Sequence, residues 1–172
     1  MSDDTDSALT FVYKGTVYPS HIKRGNACSY VLPFAKEFCK GEGLDIGGYN
    51  DWTFPGARAV NVTNSDGLDA FNLPPGSYDY IFSSHTLEHI ADYAGALRLW
   101  KSRLKPGGVL FLYLPHPDME YWLPQNNAKH VHVFHPDDVQ KVLHDLGFET
   151  VLKSERDLYW SFSVIGIDRP PE

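Results

Sequence analysis

A chain of 172 residues with 42% hydrophobic content is long enough for one globular domain with a substantial core. Fifteen basic against twenty-two acidic residues leave a net charge of −7, which argues against a broad electrostatic footprint for nucleic acid. The start of the chain is acidic and polar, and no later run approaches the roughly 18 apolar residues of a membrane span, so a soluble, cytoplasmic protein with no membrane partner is expected. Cys28 and Cys39 stand alone, without a Cys-x-x-Cys spacing, and are expected as buried thiols.

Residues 1–10 read as a disordered tail and residues 11–172 as one domain. Phe11-Val12-Tyr13 and Thr16-Val17-Tyr18 flank Lys14-Gly15, the pattern of a small hairpin or an arm. From Ser29 to Lys40 the apolar positions Tyr30, Val31, Phe34, Ala35 and Phe38 recur at helical spacing. Pro33 is expected in the first turn and Gly41 at the C-terminal cap. The helix runs into Gly41-Glu42-Gly43-Leu44-Asp45-Ile46-Gly47-Gly48-Tyr49, an apolar run ending in an acid and two glycines. Such a stretch reads as a buried strand entering a turn where backbone approaches a ligand closely.

Arg58 to Thr63 reads as a second parallel strand, yet only about nine residues separate it from the first, too few for a full crossover helix. Asn64 to Ser77 is largely loop, with Leu68 to Phe71 as a short strand. Tyr78 to Ser84 reads as a strand. Asp92 caps a helix reaching about Lys105, with Ala94, Leu97 and Leu104 on its apolar face. Pro106-Gly107-Gly108 then stops it before the strand Val109 to Pro115. His116 to Phe134 is a long connection. Pro136 opens a helix whose first turn carries Asp137 and Asp138 and whose stripe is Val139, Val142, Leu143 and Leu146, with Gly147 at its end. Phe148 to Lys153 and Tyr159 to Ile167 read as an antiparallel pair at the sheet edge, which could pair with a second copy as a homodimer. The expected fold is α/β and Rossmann-like, a mostly parallel central sheet flanked by helices with a C-terminal antiparallel pair. Such sheets bind ligands at the carboxyl ends of their strands.

Four elements in order, with Gly147-Phe148 after the late helix, carry a family resemblance: Leu44-Asp45-Ile46-Gly47-Gly48, Asp69-Ala70 before Leu73-Pro74, Tyr78-Asp79-Tyr80-Ile81 with Leu87-Glu88-His89, and Leu104-Lys105-Pro106-Gly107-Gly108. Over about residues 30 to 168 the chain resembles the class I S-adenosylmethionine-dependent methyltransferases, specifically the small type 11 group. The resemblance implies S-adenosylmethionine as cofactor, with Asp45, Gly47 and Gly48 at its amino-acid end. It also implies Asp69 and Ala70 at the adenine, and Ser83 and Ser84 where the strand opens towards the methyl group. In relatives an acid at the end of the second strand grips the ribose. Here Thr63 stands in its place, with Asn61 and Asn64 beside it, and Tyr49 replaces a turn glycine. A neutral group forgoes the charge-assisted bond, which is about twice as strong.

Methyl transfer is a displacement on an activated carbon, so the protein contributes positioning and, for a hydroxyl acceptor, a base. His85 and His116, at strand ends, are the candidate proton acceptors. Trp52, Tyr121, Trp122, His130 and His132 are expected to line the acceptor pocket. The acceptor itself reads as a small molecule or sugar methylated at oxygen or nitrogen. Six of the eight histidines lie between His85 and His135, and His116-Pro117-Asp118 with a later histidine imitates an iron site. The parallel α/β pattern argues against that, and no metal is expected. Glu88 and His89 read as structural, tying a helix start to backbone. A nicotinamide enzyme is disfavoured because Gly-x-Gly-x-x-Gly is absent. The alternative from another class is a non-catalytic binding or scaffolding module that keeps the fold with weak or lost cofactor binding.

Overall fold

The computed structural model describes residues 9–170. The expected tail falls mostly outside them, but Leu9 O accepts a hydrogen bond from Ser20 N at 2.9 Å and Thr10 already opens a strand. β1 (Thr10–Tyr13) and β2 (Thr16–Pro19) form the hairpin, closed by Lys14 and Gly15 at φ values of 49° and 82°. Two positive φ angles give the turn whose twist suits two antiparallel strands. Alternation turns Phe11, Tyr13 and Tyr18 inward, against Met119, Tyr121, Trp122 and Trp160, and leaves Val12 and Val17 exposed.

α1 spans Cys28–Phe38 and places Pro33 at its sixth position rather than in the first turn. The other main elements are β3 (Gly43–Ile46), β4 (Arg58–Val60), β5 (Tyr78–Ser84), α2 (Tyr93–Ser102), β6 (Leu104–Pro115), α3 (Pro136–Asp145), β7 (Phe148–Lys153) and β8 (Ser161–Asp168). The six-stranded sheet runs β4-β3-β5-β6-β8-β7. Its first four strands are parallel, and β8 runs antiparallel to both β6 and β7. The Rossmann-like expectation with a C-terminal antiparallel pair therefore stands, with β7 as the outer strand.

Leu44, Ile46, Ile81, Leu110, Leu112 and Phe162 face α2 and α3. Phe82, Phe111, Tyr113 and Ile165 face α1 and Phe54. α2 is capped by Asp92, which accepts from Gly95 N at 2.9 Å. It ends at Ser102, and its buried stripe is Ala96, Leu97 and Trp100, because Leu104 has already entered β6. α3 follows the expected pattern, Pro136 in its first turn and Val139 and Leu143 fully buried.

Three further local features depart from sequence expectation, and the first is that Leu68 to Phe71 form no strand but a turn closed by an Asp69–Asn72 bridge. β4 ends at Val60, and Asn61 to Thr63 form a turn instead of extending the strand. Lys105 to Gly108 do not separate helix from strand but lie inside β6. Tyr78 pairs with Leu104 and Tyr80 with Val109, so these four residues stand opposite Asp79 alone. Asp79 holds the excursion by accepting from Lys105 Nζ at 3.0 Å, and it reaches Glu42 N at 2.9 Å.

Phe82 is fully buried, with ring centroids 4.8 Å from Phe54 and 5.5 Å from Phe111. Phe82→Ala is expected to cost about 3–5 kcal/mol, read as a lowered urea midpoint with an unchanged slope.

Candidate functional site

At the carboxyl ends of β3 and β5 the structure encloses a cavity of about 380 Å3. One side is built by β3. Its apolar residues Leu44 and Ile46 turn to one face, which sends Asp45 to the other, where it is 2% exposed. Asp45 Oδ2 accepts from Phe54 N at 2.7 Å and closes the loop that stands where a crossover helix would. Burial pushes the Asp45 carboxyl up to about 7, against the Phe54 bond that favours its ionised form.

Gly47 has φ 102°, and a Cβ there would run into Thr86 Oγ1. A Cβ at Gly48 would come within 2.7 Å of the Asp45 carboxyl carbon. The two glycines are thus demanded by contacts inside the protein, while their backbone still lines the cavity. Ser84 also lines it, and its Oγ is buried without a hydrogen-bond partner. Ser83 lies beneath, donating its hydroxyl to Ile46 O at 2.8 Å to tie β5 to β3.

His85 follows β5 in a left-handed conformation, φ 48°, a costly backbone state for a residue with a side chain. It lines the cavity with its ring edge-on to Trp122 at 5.0 Å, and its Nε2 lies 2.9 Å from Ser161 Oγ. Burial pulls its pKa down to about 3, so the imidazole is neutral at physiological pH. The remaining wall comes from distant segments. Trp52 sits on a short 3-10 turn, Asn50–Trp52, and Tyr121 and Trp122 sit on another, Glu120–Trp122. His130 completes it, its Nδ1 2.7 Å from Trp122 O. Lys23 Nζ sits 3.9 Å from the Phe11 ring centroid and 5.1 Å from that of Tyr121.

The cavity thus brings together Asp45, Gly47, Gly48, Ser84, His85, Trp52, Tyr121, Trp122 and His130. The other candidates lie outside it, each engaged locally. Asn61 Nδ2 donates to Gly47 O at 3.1 Å, while its Oδ1 accepts from Thr63 N and Oγ1. Asp69 Oδ1 accepts from Phe71 N, and Ala70 O accepts from Trp100 Nε1 at 2.8 Å. His116 Nδ1 accepts from Asp118 N at 3.1 Å, and its ring meets the edge of Phe162. His132 Nε2 is 2.9 Å from Ala91 O, beside Tyr93. Asp45, the bare glycine backbone and the unpartnered Ser84 hydroxyl fit the polar, cationic amino-acid end of S-adenosylmethionine.

Sequence reading missed Thr86, Tyr30 and Asn127 as cavity residues and took Glu88 for a structural tie. Thr86 follows strand β5 by two residues, and its position was the available signal. Glu88 is 1% exposed with both carboxylate oxygens unpartnered, and burial pushes its pKa up to about 8.

Residues 20–153 match the family described as Methyltransferase domain, a match that does not single out the type 11 group. No curated protein sequence matches the chain. Among solved structures, a S-adenosylmethionine-dependent methyltransferase of Thermotoga maritima, described as a possible histamine N-methyltransferase, is similar with TM-score 0.69 and 18% identity, covering 87% of this chain and 92% of that one. A S-adenosylmethionine-dependent methyltransferase of Archaeoglobus fulgidus gives 0.62 and 15%, covering 86% and 96%. The N-methyltransferase NodS of Bradyrhizobium japonicum with S-adenosylhomocysteine gives 0.59 and 14%, covering 88% of each chain. Matched over most of its length, the chain belongs to the methyltransferase-domain family, and it shares the fold of these S-adenosylmethionine-dependent enzymes.

Proposed function

We propose that the chain methylates an oxygen or nitrogen of a small-molecule or sugar-type acceptor held in the cavity beside Asp45. The carrying observation is the meeting of two unlike walls there, a polar one of carboxylate, bare backbone and free hydroxyl, and an aromatic one of Trp52, Tyr121 and Trp122. When bound, the sulfonium cofactor supplies a methyl carbon already activated for displacement. The chain's own residues then position the partners and exclude water.

In this reading Asp45 faces the cofactor's positive end and Ser84 Oγ hydrogen-bonds it. Asn61 and Thr63 offer neutral groups to the ribose, and the Asp69-Ala70 turn borders the adenine. His85 engages Ser161 through Nε2. The Ser161 hydroxyl lies 3.3 Å from Tyr159 O and donates to it, so His85 Nε2 carries the hydrogen and Nδ1 keeps the lone pair. That lone pair accepts the hydrogen bond of an acceptor O–H or N–H. His130 borders the acceptor, while His116 and His132 hold the surrounding loop. The open edge of β7 offers backbone groups to a second copy of the chain.

A second reading, a non-catalytic binding module, is favoured by one observation: Asn61 and Thr63 satisfy each other and lie outside the cavity. Calorimetric titration with S-adenosylmethionine and S-adenosylhomocysteine separates the two. Micromolar binding that Asp45→Asn weakens about tenfold, about 1.4 kcal/mol, supports transfer, and absence of heat at millimolar ligand leaves the module.

Asp45 also predicts a pH dependence of stability. Its carboxyl is raised from 3.8 to about 7 in the folded chain, which therefore holds that proton more tightly than the unfolded chain does. The contribution is complete below a pH of about 4 and is lost as pH rises through about 7. Urea midpoints of the native chain should fall relative to those of Asp45→Asn across that window. Parallel profiles would remove Asp45 as the source.

A further inference from the structure

After β5 the chain carries a constellation of which the cavity wall uses only His130. Glu88 is 1% exposed, and neither carboxylate oxygen has a hydrogen-bond partner. A buried carboxylate left in this way is costly unless a cation or a donor meets it. Two imidazoles converge on it: His89 Nε2 lies 3.6 Å and His130 Nε2 3.9 Å from Glu88 Oε1. The three ligand atoms all lie within 4.8 Å of one another.

The far nitrogens fix the tautomers. His89 Nδ1 is 2.7 Å from Lys129 O, and His130 Nδ1 is 2.7 Å from Trp122 O. A carbonyl only accepts, so both Nδ1 atoms carry hydrogen and donate, and in a neutral ring Nε2 is then a bare lone pair. The acid and two imidazole lone pairs therefore face one another, with room between them for a proton or a cation. Metal-ligating histidines are held in the same way, the second nitrogen donating to a backbone carbonyl. The loop that brings His130 is itself fastened at this point, since Val131 N and His132 N donate to Glu88 O at 2.8 and 3.2 Å.

We infer that Glu88, His89 and His130 form a binding site for one divalent transition cation. Ligands bonded tetrahedrally at about 2.0–2.2 Å stand about 3.4 Å apart, so the two measured edges need contract by only a few tenths of an ångström. Two imidazoles and one carboxylate favour zinc, cobalt, iron or manganese over calcium or magnesium, and three protein ligands leave a position open. His130 also lines the cavity, which puts an oxygen-bearing acceptor beside the cation. That last clause rests on the methyltransferase reading; the site itself does not. The triad is distinct from the His116-Pro117-Asp118 pattern in the sequence, where His116 Nδ1 lies 3.6 Å from Asp118 Oδ2.

The test is titration of the tag-free, chelator-stripped chain with Zn2+ and Co2+ alone, by calorimetry and by the visible absorption of Co2+. One ion per chain at micromolar affinity is expected, weakened about 10- to 100-fold in Glu88→Gln and in His89→Ala and unchanged in His144→Ala. His89 is partly exposed, so its variant tests the site where the buried Glu88 variant fails to fold. A native chain that binds neither ion below about 1 mM, or binding that both variants leave intact, overturns the site and leaves a shared proton as the occupant of the triad. Cofactor titration of the stripped chain runs separately, so either reading fails without the other.

Discussion

A single buried hydrogen bond, from the Phe54 amide to the Asp45 carboxylate, stands in for an entire helix. The link between β3 and β4 has no room for the crossover that covers a parallel strand pair. Its backbone is instead folded onto the end of β3 by Asp45, which also anchors Phe54 against Tyr80 and Phe82. One acid therefore serves both the core and the cavity. That double duty explains why its carboxyl lies in a poorly solvated place and why the glycines after it must stay bare: Gly48 lies against the acid and Gly47 against Thr86.

The sheet was legible wherever hydrophobic pattern and chain punctuation agreed. Tyr78 to Ser84, with Tyr80, Ile81 and Phe82 at its centre, becomes β5, and Pro136 with two aspartates announces α3 before its stripe begins. Legibility failed where one residue could serve two grammars. Pro106-Gly107-Gly108 reads as a stop, but a bulged strand tolerates the same residues, and the register of β5 against β6 decides between them. Likewise Asn61 to Thr63 has strand-like spacing, yet Asn61 spends its side chain on Gly47 O and Thr63, and the strand ends before it.

The candidate site divides along the same line. Asp45, Gly47, Gly48, Ser84 and His85 could be placed because they sit at strand ends, where topology alone positions them. Glu88 could not, since its significance depends on His130, a residue far along the chain and delivered by a loop without regular structure. Which nitrogen of each histidine faces the acid depends on backbone carbonyls at Trp122 and Lys129, and no local pattern records that.

The hairpin that covers the aromatic wall shares no strand pairing with the six-stranded sheet. It is fastened by ring contacts of Phe11 and Tyr13 with Tyr121, of Tyr18 with Trp160, and by a bond from Asn126 to the Tyr13 hydroxyl. Lifting it breaks side-chain contacts but no rung of the main ladder. The parallel strands, and the acid at their mouth, are thus framed without any pairing to the hairpin.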